Sequence, residues 1–315
     1  LAPAMPEMET GLPGPVLLSM TFRTPAEAIR LANATPPAPA ASLWSETLST
    51  ALDLATTLEA GTVCVNGTDL EPAPDPLELW QRPAGLAPAR PVARPVAAAA
   101  VPSAALTTAR RAQSGWAGRS TTERAAILNR AATRLAESAE APAARLAGAA
   151  GAAATASAAW AETPGRATLT RHRPLGVIAA LCPEVAPVLA MASILGPVLA
   201  AGNGALLHPG NTAEAEALIA ALEAAGMPKG LVGIVSGPRA ALACALAARV
   251  DLDALWCFGP GDLPEDLPAR AAATGKALWL SEDGASETWT GPGGASDLFR
   301  VAAGRRQTLR LSWGA

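Results

Sequence analysis

The sequence has few charged residues and almost no lysine. Charged residues make up 16% of the 315 residues and hydrophobic residues 50%, a balance that excludes a largely disordered chain. The net charge is only -3, so there is no electrostatic case for nucleic acid as a partner. Of the 24 cationic residues only Lys229 and Lys276 are lysine, and we attribute this bias to genome composition in preference to function.

Cysteine is also scarce, and its spacing excludes two classes of protein. The four cysteines form no CxxC pair and cluster with neither histidine: Cys64, Cys182, Cys244 and Cys257. This pattern indicates neither a zinc site nor a disulfide framework, so we predict no metal site. Each cysteine lies in an apolar segment, where a free cysteine usually packs as a small buried hydrophobe. Reduced thiols fit a cytoplasmic location.

A leader sequence and a membrane span are not indicated either. The first residues include Glu7 and Glu9 and no basic run, unlike a signal peptide. Residues 185–206 carry no charge and are long enough to cross a bilayer. Prolines, glycines and a strand-like stretch at 205–207 favour a buried core unit instead, so we predict no membrane contact. The chain opens at Leu1 inside what looks like a domain, and we expect a fragment.

The pattern predicts an α/β fold in four segments. Residues 1–70 alternate strands and helices, and 71–103 are a Pro/Ala-rich linker, because repeated X-Pro steps disfavour helix. Residues 104–284 form a Rossmann-type domain, and 285–315 form a C-terminal β-hairpin or flap that needs a partner to pair with. In 1–70 we predict strands at 16–22, 42–44 and 62–66, a helix capped by Thr24 with Glu27, and a helix at about 47–59.

Within 104–284 the prediction is a five-stranded parallel sheet preceded by helices. One helix starts at the Ser120–Glu123 capping box, and a small-residue helix follows to about Trp160. The predicted strands are 177–181, 205–207, 231–235, 254–258 and 277–280. The predicted helices between them are 187–201, 212–225, 239–249 and 264–274. In the terminal flap, 287–290 and 307–313 are the two predicted strands.

Two stretches carry the motifs of a known family. Residues 174–211, PLGVIAALCPEVAPVLAMASILGPVLAAGNGALLHPGN, resemble the cofactor-domain signature of aldehyde dehydrogenases, PxGVxxxIxPWNxP followed by PALAAGNxxVxKPSE. The motifs GPVL (14–17), EAIRLAN (27–33) and GTVCVN (61–66) resemble the part of that family that follows its catalytic cysteine. A dehydrogenase tail followed by a second cofactor-type domain and a flap resembles aldehyde dehydrogenase family 16.

The chemical residues of the signature are replaced. Glu184 and Val185 stand where the family has Trp-Asn, and valine cannot donate the hydrogen bond by which that Asn holds the oxyanion. His208 replaces the lysine that binds the adenosine ribose, and Asn211 replaces a nearby acidic residue. Residues 278–284 lack the LELGG motif of the general-base glutamate. We therefore predict no catalytic residue in this chain.

The resemblance leaves three candidate cofactor-binding residues. Glu9 is a possible shifted substitute for the glutamate that holds the nicotinamide ribose, whose own position is Gly11. His208 could touch a ligand, although a strand-end role is the simpler interpretation. Gly259 belongs to Cys-Phe-Gly-Pro, which replaces the family's FTGS turn, and Pro260 has no N–H to offer a phosphate.

The resemblance implies that this chain is part of an NAD-dependent aldehyde dehydrogenase. We expect the segment itself to be non-catalytic, to serve structure and oligomerisation, and to bind no cofactor that we can assign. Its expected partners are the remainder of the same polypeptide and a second copy in a homodimer. The alternatives are a regulatory nucleotide-binding module and, third, an active reductase.

Overall fold

The computed structural model describes most of the chain in two compact units, each discontinuous in sequence. The described residues are 19–34, 38–68, 103–155, 159–163, 165–259, 263–281, 299 and 302–312. The first unit comprises Leu1–Asp75, Ala158–His172 and Arg306–Ala315, and the second comprises Pro76–Ser157 and Arg173–Arg305. The predicted linker at 71–103 lies outside the described residues except for its last residue, Ser103.

The described helices and strands follow one another in this order. The N-terminal part forms α1 (Pro25–Ala32), β1 (Ala38–Leu43), α2 (Leu48–Thr57) and β2 (Ala60–Val65). The middle part forms α3 (Ser103–Ala117), α4 (Thr121–Leu135), α5 (Glu140–Thr155), β3 (Ala159–Thr163) and β4 (Arg166–Pro174). The remainder forms β5 (Val177–Leu181), α6 (Pro187–Ala200), β6 (Gly204–His208), α7 (Thr212–Ala224), β7 (Val232–Ile234), α8 (Arg239–Ala247), β8 (Ala254–Phe258), α9 (Leu267–Ala273), β9 (Ala277–Ser281) and β10 (Gly304–Ser312).

The first unit is built on a mixed sheet with the strand order β1-β2-β10-β4-β3. β1 and β10 both pair with β2 in parallel, and β3 pairs with β4 in an antiparallel hairpin. Apolar residues of α2, β2 and β10 form its core, among them Ala51, Ala55, Val63 and Leu309. The strand nearest the C-terminus is therefore interior to the sheet.

The predicted elements of 1–70 are present with shifted ends. Thr24 caps α1 by accepting a hydrogen bond from Glu27 N at 3.2 Å, and the Glu27 carboxylate accepts from Arg23 N at 2.9 Å. The strands predicted at 42–44 and 62–66 correspond to β1 and β2. Of the strand predicted at 16–22, residues 19–22 are not in a strand, and the others lie outside the described residues.

Two predictions about the first unit's other strands were wrong. The helix predicted to reach Trp160 ends at Thr155, and Trp160 lies in β3, paired with Leu169 of β4. Alanine favours helix, so the alanine-rich run predicted a continuing helix, and the pairing of β3 with β4 overrides this local preference. The predicted strand 307–313 exists as β10, but β2 and β4 occupy both its edges, so it is not one arm of a simple hairpin. The predicted partner 287–290 lies outside the described residues.

The second unit contains the predicted five-stranded parallel sheet, in the order β7-β6-β5-β8-β9. Every described pairing in it is parallel, and the strands lie within about one residue of the predicted bounds. This is the doubly wound order of a Rossmann-type fold. The α/β fold class is confirmed.

The central strand β5 is buried on both faces, as its unbroken apolar sequence requires. Ile178 and Ala180 pack into one hydrophobic core, and Val177 and Leu181 into the other. Helix α6 is buried continuously from Ala190 to Ala200, which accounts for the uncharged run noted in the sequence. Among the described residues no helix is long and apolar enough to cross a membrane.

Candidate functional site

In open α/β sheets, ligands bind beyond the carboxyl ends of the strands, where the strand order reverses. In the second unit this switch point lies between β5 and β8. The chain passes from β5 to β6 on one side and later returns to β8 on the other. The residues that follow β5, β6 and β8 are therefore the candidate site.

The segment after β5 is held tightly at its start and exposed further on. Cys182 N donates to His208 O at 2.9 Å, which extends the β5–β6 ladder by one bond. Cys182 and Pro183 are buried, whereas Glu184 and Val185 are exposed. Ala186 adopts a left-handed conformation, φ 47° and ψ 54°, just before α6. Since this costs a non-glycine residue about 1–2 kcal/mol, the surrounding packing must impose it.

The His208 side chain is used by the protein itself. Its Nε2 lies 3.0 Å from Gly237 O, and because a carbonyl oxygen can only accept, Nε2 is the donor of this hydrogen bond. Nδ1 is buried and has no hydrogen-bond partner among the described residues. Asn211, at the other replaced position, caps α7 by accepting from Glu214 N at 3.3 Å. Both side chains thus hold local structure.

Gly259 is required by close packing. It has φ +98°, and a Cβ at this position would lie 3.3 Å from Pro183 Cβ. Its N–H donates to Ser281 O at 3.0 Å, so that donor is already engaged. The structure thus brings His208 and Gly259 to the two sides of Cys182–Pro183. Glu9 and Pro260 lie outside the described residues.

Arg239, which the sequence analysis did not single out, lies at the switch point. As the first residue of α8 it donates from Nη1 to Cys182 O at 3.1 Å and from Nη2 to Phe258 O at 2.6 Å. These carbonyls end β8 and immediately follow β5, so the guanidinium bridges the two strands. A side chain that binds main-chain oxygen atoms leaves no spacing pattern in the sequence. No signal could have found it.

The cysteines at this edge are not poised as nucleophiles. Burial raises the pKa of Cys182 to about 12, and the charge of Arg239 only partly opposes this. The pKa of Cys257 is likewise raised to about 12 by burial. A catalytic cysteine needs a thiolate at neutral pH, and these thiols remain protonated.

This edge does not fit a dinucleotide in its present arrangement. The Arg239 guanidinium spans the crevice between β5 and β8. The loop after β6 also packs closely against the loop after β5, since a Cβ on Gly210 would lie 2.6 Å from Pro183 O. The N–H groups of Cys182 and Gly259 are both engaged by main-chain carbonyls. In the part of the chain that the structure describes, no group of three or more His, Cys, Asp or Glu residues could hold a metal ion.

The fold and this edge define a Rossmann-type unit of the kind that serves as a cofactor domain. A sequence model of the "Aldehyde dehydrogenase family" matches residues 1–77 and 143–289, which is more than half of the chain. The chain therefore belongs to the aldehyde dehydrogenase family.

Individual relatives are similar over shorter stretches. "Aldehyde dehydrogenase, cytosolic 1" of Elephantulus edwardii is 31% identical over 105 residues, which is 33% of this chain and 21% of the relative. The "NADP/NAD-dependent aldehyde dehydrogenase PuuC" of Escherichia coli (strain K12) is 35% identical over 118 residues, covering 36% of this chain and 24% of the relative. The chain thus matches about a fifth to a quarter of the length of these curated relatives.

Solved structures show the same relationship. The aldehyde dehydrogenase KauB from Pseudomonas aeruginosa superposes with a TM-score of 0.53 at 26% identity, over 56% of this chain and 42% of that one. An indole-3-acetaldehyde dehydrogenase in complex with NAD+ gives a TM-score of 0.52 at 25% identity, over 56% and 41%. The similarity extends over less than half of either neighbour.

Proposed function

We propose that this chain is a portion of an NAD-dependent aldehyde dehydrogenase of the family-16 type. In this proposal residues 104–315 are non-catalytic and serve structure and assembly. Family membership supports aldehyde oxidation by the whole protein. A cytoplasmic location is part of the proposal, because all four cysteines are free and buried.

The observation that carries the structural role is the position of β10. This strand lies between β2, in the predicted tail of a catalytic domain, and β4, which comes from residues 104–315. In register, Leu309 pairs with Val63 and Thr308 with Thr62. The later part of the chain thereby completes a sheet that the first 70 residues begin.

Buried polar contacts support the same role. Gln307 of β10 donates from Nε2 to Leu58 O at 2.8 Å and to Ala60 O at 3.2 Å, where α2 leads into β2. Arg171 of β4 donates from Nε to Gln307 Oε1 at 2.8 Å and also bonds Thr56 O. Side-chain bonds of this kind to main-chain oxygen atoms fix the register of β10 against its neighbours.

The proposed homodimer forms through β3, one of the two edge strands of the first unit's sheet. Among the described residues β3 has only β4 as a neighbouring strand, and Trp160, Ala161 and Glu162 are exposed on it. An unprotected edge strand offers unpaired N–H and C=O groups to a second chain. Trp160 is 55% exposed as a residue and adds apolar area to that edge.

Sedimentation equilibrium of the purified chain tests the assembly role. We expect a dimer that Trp160→Asp converts to a monomer. Trp44→Asp is the matched control, because Trp44 is 64% exposed in the same unit but lies outside the strands. A monomeric wild type, or equal dissociation by both variants, would contradict assembly through β3.

An activity assay tests the non-catalytic role. Purified chain is mixed with NAD and either aliphatic or aromatic aldehydes, and NADH absorbance is followed. We expect no turnover above buffer, because the described cysteines are buried and Val185 cannot stabilise an oxyanion. Turnover that is abolished by Cys182→Ala or Cys257→Ala would overturn the proposal and favour the active-reductase alternative.

A regulatory nucleotide site remains the second candidate. The feature that favours it is Gly237 after β7, where a Cβ would meet nothing within 4 Å, since glycine permits close approach of a phosphate. Calorimetric titration with NAD tests this candidate directly. A saturable heat of binding at millimolar NAD or below would favour a regulatory nucleotide site over a purely structural role.

A further inference from the structure

We propose that the Arg239 guanidinium is an internal clamp that closes the switch-point crevice of the second unit against a dinucleotide. The clamp lies at the crevice of the second unit. It does not depend on whether the chain assembles through β3. Three features of the carboxyl edge carry it.

The first feature is the pair of hydrogen bonds that cross the switch point. The described β5–β8 ladder ends with Leu181 opposite Cys257, so Cys182 and Phe258 are the next pair along the strands. Their carbonyl oxygens accept from Nη1 and Nη2 of the same guanidinium, at 3.1 and 2.6 Å. A planar guanidinium is suited to hold two acceptors at a fixed spacing. The guanidinium thereby ties the two strand ends at the place outside which a dinucleotide would lie.

The second feature is that the surrounding loops pack onto one residue. Pro183 follows β5 and faces glycine on two sides, Gly259 after β8 and Gly210 after β6. A Cβ on Gly259 would lie 3.3 Å from Pro183 Cβ, and one on Gly210 would lie 2.6 Å from Pro183 O. These glycines therefore allow the loops to pack against each other. They do not leave space for a phosphate, which is the usual role of glycine at this edge.

The third feature is the balance of donors and acceptors at the edge. A phosphate site needs N–H groups that point at the ligand. Here the Cys182 and Gly259 N–H groups donate to His208 O and Ser281 O, and two guanidinium nitrogens are also spent on carbonyls. Arg239 Nε is buried and has no partner among the described residues, so the clamp uses two of its three nitrogens.

Hydrogen exchange measured by mass spectrometry on the whole chain tests the clamp. The variants are Arg239→Ala, Arg239→Lys and, as a matched control, Arg111→Ala, since Arg111 is an exposed helical arginine. Losing charge-assisted bonds to two carbonyls should speed exchange in peptides covering 178–184 and 254–259 by about tenfold or more. Exchange in Arg239→Lys, which keeps the charge but has a single side-chain nitrogen, should be faster than in the wild type and slower than in Arg239→Ala. Peptides of the first unit should not change.

The same experiment is repeated with millimolar NAD and with AMP. We expect neither ligand to slow exchange at the carboxyl edge of the wild type. Unchanged exchange in both Arg239 variants would overturn the clamp. So would slowing by NAD or AMP in the wild type that is lost in Arg239→Ala, because Arg239 would then be a phosphate ligand. Since none of these outcomes changes the sedimentation of the chain, failure of the clamp is separable from failure of the assembly role.

Discussion

At the scale of single residues, Asn203 joins three separate parts of the second unit. Its side chain is fully buried and makes three hydrogen bonds. Oδ1 accepts from Gly176 N at 2.9 Å, and Nδ2 donates to Val198 O at 3.1 Å and Ala303 O at 2.7 Å. The asparagine of the family signature therefore keeps a structural role here, while the chemical positions of that signature are lost.

We predict that Asn203→Ala lowers the free energy of unfolding by about 2–4 kcal/mol. The substitution leaves Gly176 N and Ala303 O without the partner that the Asn203 side chain supplies, whereas Val198 O keeps the bond from Asn203 N at 3.1 Å. Urea unfolding followed by circular dichroism measures the change. Asn129→Ala is the control, because Asn129 is exposed on α4 and its replacement should change stability by less than about 0.5 kcal/mol. Equal effects of both substitutions would contradict the prediction.

The buried thiols predict a loss of stability in alkali. Burial keeps the pKa of Cys182 and Cys257 near 12, above the ordinary value of 9.0. Between these values the unfolded chain loses the thiol protons and the folded chain retains them, so stability falls as pH rises through this range. The free energy of unfolding should therefore decline above pH 9. Cys182→Ala combined with Cys257→Ala should flatten the decline, and an unchanged slope would exclude these thiols as its cause.

Burial of Lys276 has the opposite effect on the change of stability with pH, and this effect begins at a lower pH. Burial lowers the pKa of its ammonium to about 8, despite bonds from Nζ to Arg249 O and Thr274 Oγ1. Above pH 8 the folded chain gives up this proton and the unfolded chain keeps it until about 10.5, so stability rises with pH. Because the chain has no tyrosine, few other groups obscure the effect. Unfolding measured between pH 8 and 9 should show a rise that Lys276→Met removes.

At the scale of elements, α5 and α6 meet at a glycine. A Cβ on Gly196 of α6 would lie 2.8 Å from Ala149 Cβ of α5, whereas a Cβ on Gly148 of α5 meets nothing within 4 Å. The two positions separate the packing cost of a methyl group from its benefit to helix propensity.

We predict opposite effects from the same substitution at these two glycines. Gly196→Ala should destabilise the chain by about 1–3 kcal/mol, because the two helices must move apart. Gly148→Ala should stabilise it by about 0.5–1 kcal/mol through helix propensity alone. Thermal unfolding of the two variants measures both changes in stability. A gain in stability from Gly196→Ala would mean that the helices approach less closely than described.

The elements also show which parts of the fold the sequence can predict. The second unit's strands are apolar runs bounded by glycine and proline, so both their positions and parallel pairing followed from the pattern. The β3–β4 hairpin did not follow, because β4 has polar residues on a half-buried sheet and β3 lies in an alanine-rich run. At the candidate site, the family signature located the carboxyl edge, but the Arg239 bridge depends on the folded positions of two carbonyls.

At the scale of the whole molecule, the first unit depends on residues from both ends of the chain. β10 supplies Leu309 to its core and Gln307 to its buried polar contacts. Removal of β10 would leave β2 and β4 without the strand that pairs with both of them.

We predict that truncation after Ala303 unfolds the first unit and leaves the second folded. The second unit keeps its five strands and the buried residues Phe299 and Ala303, whereas the first loses an interior strand. Limited proteolysis should then cut within residues 38–68 and spare 177–258. Removal of residues 313–315 alone is the control and should leave both units protected. Resistance of 38–68 in the longer truncation would show that β1 and β2 fold without β10.

The interior position of β10 also dictates when the first unit can form during synthesis on the ribosome. The bond from Gln307 to Ala60 joins residues 247 positions apart. At about 5–20 residues per second, β1 and β2 emerge roughly 10–50 s before the strand that completes their sheet. The second unit's parallel sheet lies within that interval, so it can fold first. Until β10 arrives, the open side of β2 is an exposed apolar edge, and this nascent chain is the state in which a chaperone would be needed most.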